Sequence, residues 1–98
     1  MAKLQLTLNA RVDLADIDEW GFQQFGRDTA DIYFRGFKAA FDRLEKFPLA
    51  GAPQLALGRN IRCLTHRKHR IFYIAENDIV LIIRVIHHAR NARQVLKK

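Results

Sequence analysis

Four stretches of the chain have the hydrophobic patterns of β-strands. Polar and apolar residues alternate in residues 3–8, K-L-Q-L-T-L, and again in residues 60–66 and 69–75. Residues 79–88, I-V-L-I-I-R-V-I-H-H, form the most apolar run of the chain. A continuous apolar run is typical of a strand buried on both faces, so we expect this strand to lie in the centre of a sheet.

Arg84 interrupts this apolar run and needs a partner or contact with water, because an unpaired buried charge is costly. An acidic residue on a neighbouring helix would satisfy it. Since side chains alternate along a strand, Arg84 is predicted to share a face with Ile82 and Ile86. His87 is predicted to lie on the opposite face, with Val85.

The segment after the first strand has the three- and four-residue spacing of an amphipathic helix. Asn9 is the predicted N-cap, and Gly26 is the predicted left-handed C-cap. Trp20 lies at the margin of the apolar stripe, and we interpret it as packed in the core, with a partner anchor as the alternative. The stripe consists of Ala10, Leu14, Ile17, Gly21 and Phe25.

A second amphipathic helix is predicted from Thr29 to Lys46, with Asp28 as its cap. Its aromatic-rich stripe consists of Ala30, Tyr33, Phe34, Phe37, Phe41 and Leu44. Prolines and glycines then predict a loop over residues 48–58. The short link between the helices predicts an antiparallel helical hairpin.

The order of elements is β-α-α-β-β-β, which predicts an α+β fold. Turns at residues 67–68 and 76–78 join the last three strands into an antiparallel meander. We expect the first strand to join the sheet beside the last strand, and the helical hairpin to cover one face. The other face is expected to be partly open, with the arginines and histidines on or beside it. Residues 91–98 are predicted to form a short basic helix or a loose tail.

The length of 98 residues predicts a single domain over residues 1–98. The sequence has no apolar run of the length that a membrane helix needs, and the residues after Met1 do not resemble a signal peptide. Cys63 is the single cysteine, which excludes an intrachain disulfide and a cysteine-based zinc site. We therefore expect a cytoplasmic protein that does not interact with membranes.

Charge is distributed unevenly along the chain. Up to Gly58 there are seven Lys/Arg and eight Asp/Glu, a net charge of −1, whereas from Arg59 onward ten Lys/Arg and two acids give +8, which together make the +7 of the whole chain. All four histidines also lie in the second part. This asymmetry indicates a basic working surface for a nucleic acid, a phosphate group or an acidic protein.

A series of short stretches then occurs in an order and spacing known from one group of proteins. They are L-T-L-N-A-R-V-D-L-A-D-I at residues 6–17, Trp20-Gly21, Phe25-Gly26, Ala30, Tyr33, Leu44 before F-P-L-A-G, Ile61-Arg62, H-R-I-F-Y at residues 69–73, I-I-R-V-I-H at residues 82–87, and Arg90-Asn91. In this series the chain resembles the RelE/ParE superfamily of bacterial type II toxins, and its ParE branch in particular. The resemblance covers nearly the whole chain.

The resemblance implies a small toxin that forms a complex with a cognate, ParD-like antitoxin. ParE-type members are understood to trap DNA gyrase on cleaved DNA, whereas RelE-type members cut messenger RNA in the ribosomal A site. We interpret the chain as a gyrase inhibitor that acts by binding, without a cofactor and not as an enzyme. A ribosome-dependent mRNA endonuclease is the alternative, and a member that has lost toxicity is a third possibility. Ribonuclease members often carry a tyrosine near the C-terminus, and no aromatic residue follows Tyr73.

The resemblance also implies roles for particular residues. The expected target-binding residues are Arg62, Arg70, Arg84, His87, Arg90 and Arg93, and direct contact with nucleic acid is a secondary expectation. The expected antitoxin anchors are Trp20, Phe22 and Phe34. If the protein is a ribonuclease, the catalytic residues are Arg62, His69, Arg84 and His87. The adjacent His87 and His88 point to opposite faces of a strand, so we predict no metal site.

Overall fold

The computed structural model describes residues 1–58 and 60–96. Three helices, one 3-10 turn and five strands make up the fold in this part of the chain. In chain order they are β1 (Lys3–Leu6), α1 (Leu8–Phe25), α2 (Arg27–Lys46), β2 (Ala52–Pro53), the 3-10 turn (Leu55–Leu57), β3 (Ile61–His66), β4 (His69–Glu76), β5 (Ile79–His87) and α3 (Ala92–Leu96).

The strands form one mixed sheet in the order β1-β5-β4-β3-β2. β1 runs parallel to β5, with Lys3 opposite Ile79 and Leu6 opposite Ile82, and the other pairs are antiparallel. The predicted α+β class, the C-terminal meander and the place of the first strand are confirmed. β2 lies within the predicted loop, where two residues paired with β3 are too few to produce an alternating pattern.

The helical hairpin packs on one face of the sheet and closes the main core. α1 and α2 contribute Leu14, Phe37 and Leu44, which are nearly inaccessible to water. They pack on strand side chains that include Ile71, Tyr73, Val80, Ile82 and Val85. The predicted cover of one face by the helical hairpin is therefore confirmed.

Tyr73 joins this core to the segment that follows α2. Its hydroxyl group donates a hydrogen bond to the carbonyl of Pro48 at 2.7 Å and accepts one from the backbone N–H of Gly51 at 2.8 Å. A Cβ atom at Gly51 would lie 2.7 Å from the Tyr73 hydroxyl oxygen, so only glycine fits this close approach.

Thr7, not the predicted Asn9, is the N-cap of α1. Its Oγ1 atom accepts a hydrogen bond from the N–H of Ala10 at 3.0 Å and donates one to the carbonyl of Ile83 at 2.9 Å. The helix therefore begins directly after β1, because one side chain both caps the helix and bonds the neighbouring strand.

Gly26 ends α1 as predicted, with a φ angle of 83° that favours glycine. The same residue also starts α2, which begins at Arg27 rather than Thr29. Asp28 lies in the first turn of α2 and is not its cap, so that prediction was wrong. A single glycine between the helices leaves no room for a separate capping residue.

A bulge in β5 overturns the predicted alternation of its side chains. Tyr73 lies opposite Ile82, but the preceding Phe72 lies opposite Arg84, so Ile83 is an extra residue in β5. Beyond the bulge the faces exchange, and Ile82 lies in the main core while Ile86 lies in a second cluster. The pattern of apolar residues does not reveal this shift, because both faces of β5 are apolar.

The second cluster covers the face of the sheet that was expected to be partly open. Phe72 and Ile86 pack there against Ala92 and Val95 of the short helix α3. α3 corresponds to the helical alternative predicted for residues 91–98, of which Lys97 and Lys98 lie outside the described residues.

Candidate partner-binding groove and basic end

An open groove of about 520 Å³ lies between the helical hairpin and the end of the sheet formed by β4 and β5. Its apolar lining includes Ile17, Trp20 and Phe25 of α1 and Phe34 of α2. We call this cavity the partner groove. It is wide enough for side chains of another polypeptide, because binding sites of a few hundred cubic ångströms are typical for ligands.

Large aromatic side chains in the partner groove are exposed to water. Trp20 is 58% exposed, Phe25 is 61% exposed and Phe34 is 36% exposed. Trp20 packs only edge-on against Phe25, with ring centroids 5.7 Å apart. The interpretation of Trp20 as a core residue was therefore wrong, and Phe25 also leaves the buried stripe in which it was predicted. Exposed apolar side chains that meet in a groove indicate an interaction surface.

Phe22, the third expected anchor, lies outside the lining of the partner groove. The guanidinium group of Arg27 stacks over its ring at 5.1 Å from the centroid. Arg27 is held in place by ion pairs with Asp18 at 2.6 Å and Asp31 at 2.9 Å. Phe22 is thus exposed but belongs to a local cluster at the tip of the hairpin.

The two walls of the partner groove carry opposite charges. The wall on α1 includes Asp13, Asp16 and Asp18. The opposite wall consists of basic and aromatic groups from the sheet end and from α2: Tyr33, Lys68, His69, His87 and Arg90. A partner segment that fills the groove therefore meets acids on one side and bases on the other.

The histidines lie close to one another on the helix side of the sheet. The Tyr33 hydroxyl group and Nδ1 of His69 share a hydrogen bond of 2.7 Å. The His66 ring packs on Phe37 with centroids 4.7 Å apart, and His87 lies 5.4 Å from His69. Burial, followed by the charges of the neighbouring histidines, lowers the pKa of His69 to about 4. These three histidines face the helices, not the side on which they were expected.

Arg84 is held by Asp13 of α1. Its Nε and Nη2 atoms donate hydrogen bonds of 2.7 and 2.9 Å to the carboxylate, which also accepts the backbone N–H of Val85 at 2.9 Å. This geometry confirms the expected acidic partner on the helical hairpin. The hydrogen bonds that Arg84 donates to Asp13 raise the pKa of Arg84, whose guanidinium group is thus already paired within the chain.

Arg62 and Arg70 also bond groups within the chain. Arg62 donates a hydrogen bond of 2.8 Å to the carbonyl of Gly51. Arg70 donates one of 2.7 Å to the carbonyl of Arg90, and its guanidinium group stacks over Phe72 at 5.3 Å. Arg70 thereby fastens the segment between β5 and α3. Both arginines hold the backbone in place at the positions where target contacts were expected.

A group of basic side chains that we call the basic end lies where the β3–β4 turn meets the segment after β5. The backbone N–H of His88 donates to the carbonyl of Lys68 at 2.8 Å and so joins the two segments. The basic end consists of Arg67, Lys68, His88 and Arg90, all of them exposed. Arg67 and Lys68 were predicted only as turn residues, although the predicted hairpin already placed them at the same end as His88.

The four residues expected for ribonuclease chemistry are not brought together. Arg62 pairs with Tyr73 in the middle of the sheet, whereas His69 and His87 pair with each other at the end of β4 and β5. The guanidinium group of Arg84 forms an ion pair with Asp13. Only the two histidines of this set lie near each other.

Among residues 1–58 and 60–96, none of the helices is both long and apolar enough to cross a membrane. Within the same residues, no three His, Cys, Asp or Glu side chains converge as ligands of a metal ion.

Comparison with known proteins gives consistent matches. Residues 4–92 match the family model of the ParE toxin of the type II toxin–antitoxin system parDE. A protein named Toxin ParE1 from Caulobacter vibrioides is 32% identical over 93 residues, which cover 95% of this chain and 96% of that protein. A solved structure titled as a chromosomal ParDE system from P. aeruginosa shares the fold with a TM-score of 0.76 and 19% identity, over 89% of this chain and 96% of that one.

Proposed function

Because this chain belongs to the ParE toxin family of type II toxin–antitoxin systems, we propose that it inhibits DNA gyrase and is neutralised by a ParD-like antitoxin. In this proposal the toxin traps gyrase on cleaved DNA, as the ParE resemblance implies, and acts in the cytoplasm. The observation that carries the proposal is the family match over residues 4–92, together with 32% identity to Toxin ParE1.

The arrangement of the basic residues supports action by binding over RNA cleavage. General acid–base catalysis requires proton-transfer groups and stabilising cations around one reacting phosphate. In this fold Arg84 is neutralised by Asp13, and Arg62 bonds the carbonyl of Gly51. His87 and Arg90 remain as expected target contacts, because their side chains lie at or near the basic end, and Arg93 remains a predicted contact in α3.

Gyrase inhibition is tested by a supercoiling assay with the full-length toxin after its release from the antitoxin. We expect linearised plasmid to accumulate, and to disappear when antitoxin is added back. Unaffected gyrase, together with cleavage of mRNA on translating ribosomes, would replace this proposal with the endonuclease alternative.

The partner groove is the surface that we propose for the antitoxin. An apolar stripe of an antitoxin helix or extended segment can bury Trp20, Phe25 and Phe34, which are the type of side chain that dominates binding energy. On the α1 wall Asp13 and Asp18 are already paired with arginines of this chain, so Asp16 is the acid that favours a basic residue of the partner. Lys68 and Arg90 favour acidic residues on the opposite wall. Phe22 remains a predicted anchor that lies outside this groove.

Trp20 provides a direct signal for this contact, because it is the single tryptophan of the toxin. With a tryptophan-free antitoxin, we expect its fluorescence to shift to shorter wavelength on binding. Phe25→Ala and Phe34→Ala are expected to weaken the complex by about tenfold or more each. Phe47→Ala is the matched control, since Phe47 is 63% exposed and lies outside the groove. Equal losses for all three variants would argue against the partner groove.

A further inference from the structure

We propose that the basic end binds the phosphate backbone of nucleic acid directly, without gyrase. This contact goes beyond the proposed function, because it concerns the toxin and DNA alone. It is independent of whether gyrase or another molecule is the final target.

The first support is the continuity of positive charge at one end of the sheet. Arg67 and Lys68 occupy the β3–β4 turn, and His88 is fixed beside them by its backbone bond to Lys68. Arg90 follows directly, with its carbonyl held by Arg70. Arg93, in α3, lies apart from this group and donates a hydrogen bond of 3.5 Å to the carbonyl of Ala56. Exposed cations arranged around a rigid turn can contact several phosphates of one strand.

The second support is that, among the residues that the structure describes, no carboxylate forms an ion pair with these cations, although Asp16 lies across the partner groove from Lys68 and Arg90. In residues 1–58 and 60–96, the ion pairs involve Arg27, Lys38 and Arg84, and none includes a residue of the basic end. The acids of the second half, Glu76 and Asp78, lie at the other end of β4, which spans eight residues or roughly 25 Å. The positive potential is therefore concentrated at one end of the molecule.

The backbone at Arg67 provides a third support. Arg67 has a φ angle of 51°, which is unfavourable for a residue with a long side chain. The other hairpin turn has positive φ angles at Asn77 and Asp78, residue types that tolerate this conformation well. An arginine held at such a position is a reason to look for a function of its side chain.

The distribution of apolar side chains favours phosphate over an acidic protein as the ligand. Every large hydrophobic residue that is exposed in the described part of the chain lies between Met1 and Leu55. Lys68 and Arg90 border the aromatic residues of the partner groove. On the outer side, where Arg67 and His88 lie outside that groove, the described residues provide no apolar anchor of the kind that protein interfaces usually bury. Contacts of basic side chains with phosphates need no such anchor and are independent of base sequence. Asp16 in the partner groove repels a polyanion and directs it to the outer side of the basic end.

The test measures binding of the full-length toxin, without gyrase or antitoxin, to a fluorescent 20-base-pair duplex at several salt concentrations. The test variant combines Arg67→Asn, Lys68→Gln and Arg90→Gln. Loss of three phosphate contacts should make the slope of log affinity against log salt shallower by about 2.7 and weaken binding at least about tenfold at low salt.

The matched control combines Arg11→Gln, Arg43→Gln and Lys46→Gln, which removes the same charge from exposed positions on the helices. We expect it to bind the duplex within about twofold of the unmodified toxin. Equal weakening of both variants would overturn the proposal, because net charge alone would then explain binding. Tighter binding to a poly-glutamate peptide than to the duplex would also overturn it, in favour of an acidic protein. Circular dichroism confirms that both variants are folded before binding is compared.

Discussion

At the scale of single residues, Asp13 has the largest structural role among the acids. Its carboxylate accepts two hydrogen bonds from Arg84 and one from the backbone of Val85. These donors lie beyond the point where β1 ends, since β1 pairs with β5 only as far as Ile82. The carboxylate of Asp13 thus bonds the backbone of β5 in the part where β1 no longer pairs with it. An unsatisfied donor here would be expensive, because the site is largely shielded from water.

We therefore expect Asp13→Ala to lower the free energy of unfolding by about 2–3 kcal/mol, because it leaves a poorly hydrated guanidinium group without its counter-charge. Urea unfolding followed by circular dichroism measures the change. Asp16→Ala, on an exposed position of the same helix, should change stability by less than about 0.5 kcal/mol. Similar values for the two variants would show that the Arg84 pair contributes little.

Protonation of His69 is expected to lower the stability of the fold. The pKa of His69 is about 4 in the folded protein, mainly because of burial and secondarily because of His87, His66 and His88. In the unfolded chain the imidazole returns to its ordinary pKa of about 6.5. The unfolded state therefore binds more protons between these values, and stability is lost as the pH falls from about 6.5 to 4.

We expect the free energy of unfolding to fall by about 1–2 kcal/mol through His69 over this range, less than the full shift implies because water screens a half-buried ring. The measurement is urea unfolding at pH 7.0, 5.5 and 4.5. His69→Gln should flatten this part of the profile, whereas His88→Gln should retain it. An unchanged slope in His69→Gln would assign the acid sensitivity to another group.

At the scale of elements, α2 approaches β3 closely enough to exclude a side chain at Gly36. A Cβ atom built there would overlap the His66 ring, which is wedged against Tyr33 and Phe37. The helix tolerates glycine in its interior, at a cost of about 1 kcal/mol relative to alanine, because the ring occupies that space. Gly21 in α1 is different, since its Cβ would lie at an ordinary 3.5 Å from Ala30.

Gly36→Ala is expected to destabilise the protein by about 1–2 kcal/mol, because it displaces the His66 ring. In a His66→Ala background the same change should instead stabilise by about 0.5–1 kcal/mol, since only the gain in helix propensity remains. Thermal unfolding of the four proteins in this cycle provides the comparison. Gly21→Ala is the control and should be neutral or stabilising. If Gly36→Ala lowered the stability both with His66 present and in the His66→Ala background, the steric explanation would be contradicted.

The elements could be predicted well from the sequence, but their details depend on neighbours that a pattern cannot show. In both long helices and in the long strands, hydrophobic residues recur with a clear period. A glycine and prolines mark the ends of these helices. The bulge at Ile83 was invisible because apolar residues on both sides of it fit either face. The exposure of Trp20 was also missed, because an aromatic residue at the margin of a stripe fits both the core and a groove.

At the scale of the whole molecule, the exposed apolar residues and the basic end come from different parts of the sequence and meet at the partner groove, which Lys68 and Arg90 also line. Large exposed hydrophobic residues lie before residue 56, and the basic end is built from residues after 66. The sequence predicted this division of charge, but the groove and the basic end follow from strand pairing. The pairing of His66 with His69, and of His69 with His87, brings the turn and the C-terminal segment together.

Ending the chain after Asn91 would remove more than basic residues. Ala92 and Val95 would no longer cover Phe72 and Ile86, so we expect a loss of about 2 kcal/mol in the free energy of unfolding. Increased binding of a hydrophobic dye and a lower urea midpoint would report the exposed face. Arg93→Gln removes charge without this loss and should leave the midpoint unchanged. An unchanged urea midpoint in the truncated chain would mean that α3 adds little to the stability of the fold.

The pairing of the first strand with the last one also determines when the toxin can be completed during synthesis. Lys3 pairs with Ile79, which the ribosome adds 76 residues later. At ordinary rates of translation β1 therefore stays unpaired with β5 for at least roughly 4–15 s. A chain released before Ile79 contains the helical hairpin but lacks β5, one wall of the groove and half of the basic end. Interrupted translation is therefore expected to yield fragments that lack the complete surfaces proposed here for partner and nucleic-acid binding.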